Sequence, residues 1–107
     1  MKEIIVKTQE DYDKIKDQKK ATRISIEVEK TNEWITIKKV PENCYVVALD
    51  SSHVEALDSS HVEALDSSHV VAWGSSHVVA WGSSHVVAWD SSHVEAYQYS
   101  IVRKKSE

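Results

Sequence analysis

The sequence predicts a mainly β protein: a short β-solenoid (β-helix) of tandem eight-residue repeats with an N-terminal β-α-β-β cap containing one helix. Three observations predict it. From His53 the chain reads HVEALDSS, HVEALDSS, HVVAWGSS, HVVAWGSS, HVVAWDSS, HVEAYQYS, and such a period marks a repeat architecture. Each unit divides into five strand-like residues and three turn-like ones, Asp/Gly-Ser-Ser. The ends are degenerate: Tyr45–Ser52 precedes the array and Ile101-Val102-Arg103 follows it, as capped solenoids require. Near-identity of the units means recent duplication or deliberate design.

Strand side chains alternate between two faces. Val54, Ala56 and their equivalents form an invariant, small, apolar set that should point inward. His53, Glu55, Leu57 and their equivalents vary and should point outward. An antiparallel meander fits less well, because a three-residue hairpin loop wants glycine at its last position. Gly74 and Gly82 stand at the first. Two units, or 16 residues, per coil suit so thin an interior, with stacked equivalents roughly 4.8 Å apart.

The array is preceded by residues 1–43, expected as an α/β cap, and itself spans 44–107 within one continuous domain. Glu3–Lys7 reads as a strand. Thr8 should N-cap a helix over Gln9–Lys19, with Asp11 completing a capping box and Tyr12 and Ile15 as the apolar stripe. Arg23–Val28 and Glu33–Val40 alternate as strands, and Pro41-Glu42-Asn43 turns into the repeats.

The 107 residues and 41% hydrophobic content suit one modest globular core. No segment is apolar enough to span a membrane, and the charged start MKEIIVKTQEDYDK does not read as a signal peptide. With Cys44 the sole cysteine, no internal disulfide forms. These features lead to an expected cytoplasmic location. The net charge of −4 is unevenly spread: +1 over 1–43, −7 over 44–98, which has no Lys or Arg, and +2 over 99–107. An acidic, cation-free array argues against direct nucleic-acid binding, which needs Lys and Arg at phosphates, and suits a basic partner surface.

The unit Ala-Trp-Gly-Ser-Ser-His-Val-Val of 72–79 resembles the octapeptide repeats of small β-solenoid proteins of phages, prophages and gut bacteria. Their pattern is roughly Ala-aromatic-Gly/Asp-Asn/Ser-Ser-x-Val-x. The resemblance covers residues 45–102, and the chain departs from it by placing His at every x before Val. It implies a non-enzymatic role, in a phage context an inhibitor of a host defence nuclease such as a CRISPR effector, and it carries no site residues.

Three constellations stand out. His53, His61, His69, His77, His85 and His93 form a ladder that either binds Zn²⁺, Ni²⁺ or Cu²⁺ or is a solvated column copied with its repeat. Nitrogens on one zinc stand roughly 3.3 Å apart, closer than the stacking distance, so binding needs side-chain rotation. Val71, Val79, Val87 and Trp73, Trp81, Trp89 make an apolar outer stripe, with 71/73 and 87/89 on one face and 79/81 on the opposite one at two units per coil. Asp50, Glu55, Asp58, Glu63 and Asp66 give it an acidic rim, the composition of an interface centre. The partner is a protein, either a nucleic-acid-binding effector or a second copy closing a homodimer; the bland reading is aromatic stacking that stabilises the sheet. The serine corners read as hydroxyl ladders for turn backbone. DSSH spells the residue types of a hydrolase triad, but neighbours in one turn cannot form the relay. Ice binding wants ordered threonines, which the repeats lack. The remaining reading is a purely structural or designed scaffold, without cofactor. Cys44, at the place of the second turn serine, is expected to be buried, and Arg103-Lys104-Lys105 to be a solvated end.

Overall fold

The computed structural model describes residues 2–28 and 33–105. Eleven strands and one helix follow in order: β1 (Lys2–Val6), α1 (Gln9–Asp13), β2 (Thr22–Ile26), β3 (Trp34–Ile37), β4 (Cys44–Ala48), β5 (His53–Ala56), β6 (His61–Ala64), β7 (His69–Ala72), β8 (His77–Ala80), β9 (His85–Trp89), β10 (His93–Ala96) and β11 (Ile101–Lys105). From β2 onward, successive strands go to opposite walls. One wall is a six-stranded sheet, β1-β2-β4-β6-β8-β10; the other is five-stranded, β11-β9-β7-β5-β3. All pairings are parallel, and His61 meets His77 and His77 meets His93, so one coil takes two units, or 16 residues. The solenoid has about six turns.

The interior follows from the alternation. Val54, Ala56, Val62, Ala64, Val70, Ala72, Val78, Ala80, Val86 and Ala88 are all buried. In one wall Val54, Val70, Val86 and Val102 lie in a single register column, and Ala56, Ala72, Ala88 and Lys104 in the next. At the N-terminal end Ile35 and Ile37 head these columns. Small side chains let the two walls approach and bury each other's inner faces.

The corners explain the Asp/Gly alternation. Asp50, Asp58, Asp66, Asp90, Gly74 and Gly82 all have φ between 57° and 69°. The amide of the second serine then bonds the carbonyl three residues earlier, as Ser52 N does to Leu49 O at 3.1 Å. A positive φ at the first central position of such a turn favours glycine, and aspartate tolerates it. The second serine of each corner is buried and its hydroxyl faces carbonyls: Ser68 Oγ lies 2.7 Å from Leu65 O and 2.9 Å from Ala48 O. Both carbonyls also accept backbone amides, Ala48 O from Leu65 N and Leu65 O from Ser68 N, so the buried hydroxyl finds its acceptor on their second lone pairs.

Neither sheet breaks at the expected boundary between 43 and 44. β2 pairs with β4 and β3 with β5 across it, so the first three strands are themselves solenoid strands. Only α1 departs from the pattern. It follows β1, where a strand of the second wall would lie, and packs beside β3. Thr8 caps it in a full capping box with Asp11. Gln9 then stands in for the missing strand: its Nε2 donates to Thr36 O at 2.9 Å and its Oε1 accepts from Thr36 N at 2.6 Å.

The helix is shorter than the expected Gln9–Lys19, ending at Asp13 with Lys14 as its C-cap. After Ile15 the sequence offers no apolar stripe to continue it, and the chain must return to the first wall at Thr22. The third strand is likewise trimmed to Trp34–Ile37. Arg103-Lys104-Lys105 is exposed, as expected of a solvated end, and forms part of β11.

Candidate functional site: the outer faces of the two walls

With the interior filled, chemistry is left to the outer faces. Alternation and pairing lay out three columns on each wall. On the five-stranded wall they are His53–His69–His85, then Glu55–Val71–Val87, then Leu57–Trp73–Trp89. On the six-stranded wall they are His61–His77–His93, Glu63–Val79–Glu95 and Leu65–Trp81–Tyr97.

As two units per coil predict, the stripe is divided between the walls. Val71, Trp73, Val87 and Trp89 lie together on one wall, and Val79 and Trp81 on the other. The Trp73 and Trp89 indoles stack at 4.9 Å between centroids, 4° from parallel. Lys105 sits over the outer indole, its Nζ 5.5 Å from the Trp89 ring, a cation–π arrangement. Trp81 stacks on Tyr97 at 4.4 Å. Because the rings stack along the solenoid axis, they show edges to solvent rather than faces. Trp73 and Trp89 are half-buried and Trp81 is exposed. Trp73 Nε1 donates to Glu55 at 3.0 Å, so that acid is tied to the stripe.

The other acids are dispersed. Asp50 and Asp66 share one corner column, with Asp50 N donating to Asp66 Oδ2 at 3.3 Å. Asp58 stands at the opposite corner, beneath Gly74. Their shared φ makes them turn residues first. Glu63 is exposed beside Val79 on the six-stranded wall.

The two histidine columns differ. The rings of His53, His69 and His85 are stacked, parallel within 5–6° and spaced 4.7 and 4.8 Å, with Trp34 edge-on to His53. Nδ1 of His53 and of His69 is buried without a hydrogen-bond partner. Burial, reinforced by the flanking His53 and His85, lowers the pKa of His69 below its usual 6.5. The column His61–His77–His93 is exposed and its rings are tilted, at 56° and 4.6 Å for the first pair and 52° and 5.4 Å for the second. Among the described residues, no three His, Cys, Asp or Glu side chains gather closely enough to hold an ion.

The serines of DSSH do not form a relay with their histidines: the second is buried against carbonyls, while the histidine rings lie on the outer face. Cys44 is half-buried at the start of β4, in register with Thr22, and burial raises its thiol pKa.

Sequence reasoning missed four partners. Lys105 and Tyr97 each stand sixteen positions beyond the indole they cover, so reading the chain at the coil period would have found both. Trp34 lies nineteen before His53, outside that period, and Gln9 has no repeat signal at all. No protein-family model, curated protein or solved structure matches the chain.

Proposed function

We propose that the protein is a non-enzymatic binding module that offers the outer face of its five-stranded wall to a protein partner. The observation that carries this reading is the stacked pair Trp73–Trp89. Its rings are held by one another and by Lys105, so the stripe loses little side-chain entropy on docking. Val71 and Val87 widen the apolar strip, and Glu55 borders it. Aromatic anchors inside a polar rim are the usual energetic centre of an interface.

The charge suggests the partner's character. Residues 44–98 carry seven acids and no Lys or Arg, which favours a basic surface. Together with the resemblance to phage and prophage octapeptide repeats, this supports an inhibitor of a host defence nuclease that competes with nucleic acid for a basic groove. The test is binding to a CRISPR-type effector, with and without its nucleic acid, by wild type and by the triple variant W73S/W81S/W89S. Binding by wild type, its displacement by nucleic acid and its loss in the variant support the proposal. Equal binding by the variant overturns the role of the stripe, and light scattering on both forms detects a homodimer built on it.

A further inference from the structure

The six histidines share one repeat position, yet the two walls treat them differently, and that difference has chemical content. An imidazole binds a metal through a nitrogen lone pair that lies in the ring plane. Two imidazoles can share one ion only where their ring planes meet at the ion. With metal–nitrogen bonds of about 2.0–2.1 Å and ligand angles of roughly 90–110°, the ring centres then stand about 4.5–5.2 Å apart.

The pair His53–His69 meets the distance at 4.7 Å but not the orientation, because its planes are 5° from parallel. An ion midway between two stacked parallel rings lies outside both planes, where neither nitrogen lone pair points. The pair His69–His85 fails for the same reason at 4.8 Å and 6°. On the opposite wall, His61 and His77 stand 4.6 Å apart with planes inclined at 56°. Such planes intersect, and an ion on the line of intersection lies in both. Both rings are exposed, so a hydrated ion reaches them. His77 and His93 are also inclined, but their 5.4 Å separation exceeds the chelating range.

We infer that His61 and His77 form a two-imidazole site for one borderline divalent cation of the Ni²⁺, Cu²⁺ and Zn²⁺ group, on the wall away from the Trp73–Trp89 stripe. Imidazole suits these ions, and with no third His, Cys, Asp or Glu grouped with the pair among the described residues the remaining coordination positions are filled by water. The site is independent of the protein-binding role proposed above, since it uses neither the indoles nor the acids beside them.

The test is calorimetric titration of the untagged protein with Ni²⁺ alone at pH 7.5, alongside H61Q, H77Q, H69Q and H93Q. The expected result is one ion per chain, with affinity about tenfold or more weaker in H61Q and in H77Q and unchanged in H69Q and H93Q. Circular dichroism of each variant separates lost ligation from lost fold. As a second measurement, Ni²⁺ should broaden the imidazole NMR signals of His61 and His77 before those of His53, His69 and His85. No binding at millimolar Ni²⁺, or a loss in H69Q equal to that in H77Q, overturns the assignment.

Discussion

The side-chain amide of Gln9 makes two bonds to the backbone of Thr36, donating to its carbonyl at 2.9 Å and accepting from its amide at 2.6 Å. A neighbouring strand would offer the edge of β3 the same pair. A glutamine on a five-residue helix thus closes one place where the five-stranded wall would otherwise be open. Unpaired edges recruit other chains. Gln9→Ala should lower stability by about 1–2 kcal/mol, because both Thr36 groups lose their partner. Urea unfolding measures this. Gln9→Glu should fall short of wild type as well, since an ionised carboxylate accepts but cannot donate.

The serine corners give a paired comparison. Ser76 is buried, with its hydroxyl 2.8 Å from Trp73 O, whereas Ser75 is exposed. Ser76→Ala should cost about 1–3 kcal/mol and Ser75→Ala within about 0.5 kcal/mol of zero. Equal losses in urea unfolding would mean that the buried hydroxyl does not serve the corner.

Gly74 tests the backbone requirement. Its φ is +65°, and an added Cβ would stand 2.9 Å from Asp58 O. Gly74→Ala should destabilise by about 1–2 kcal/mol. Gly74→Asp should be milder, because aspartate already holds this turn at positions 58 and 90, and Gly74→Val should be worst. Thermal midpoints rank the three.

His69, in the middle of the stacked histidine column, makes stability depend on pH. Burial and the flanking rings lower the His69 pKa from 6.5, and a proton added at the buried Nδ1 would find no acceptor. The unfolded chain therefore binds protons more readily than the folded one. Stability is fully present above pH 6.5 and falls as pH drops through that value toward the lower folded pKa. His69→Gln should flatten this part of the profile. Urea midpoints at pH 8 and pH 5 for both proteins measure it, and an unchanged slope in the variant would assign the effect elsewhere.

The repeat made the fold legible because every unit repeats the same physical instruction: Val and Ala inward, a left-handed first corner residue, a serine under the bend. Copying removed the usual ambiguity of short strands. Where copying stops, legibility stops. The strands before residue 44 were readable by alternation, but their membership in the same two sheets was not, since their connections do not keep the eight-residue period. The helix end was misjudged because its length is set by the return to Thr22 rather than by local propensity. On the outer face, the composition of each column could be read from the repeat. The orientation of the rings could not: His69 and His77 have the same neighbours in sequence and different tilts in the structure. The dispersal of Asp50, Asp58 and Asp66 to corners was written in their position before Ser-Ser, but an acid beside an apolar stripe invites an interface reading.

Strand pairing at sixteen residues over a repeat of eight gives the molecule a parity. Gain or loss of two units shifts its length by one coil and leaves each wall with its own rows. Gain or loss of one unit is also acceptable to the interior, because Val and Ala serve either wall equally. Every later strand would then change sides: the indole of Trp89 would move to the wall of Trp81, and the histidines beyond the change would trade a parallel-stacked column for a tilted one. Slippage within so uniform a stretch of sequence can therefore exchange the faces of the protein while its core remains intact.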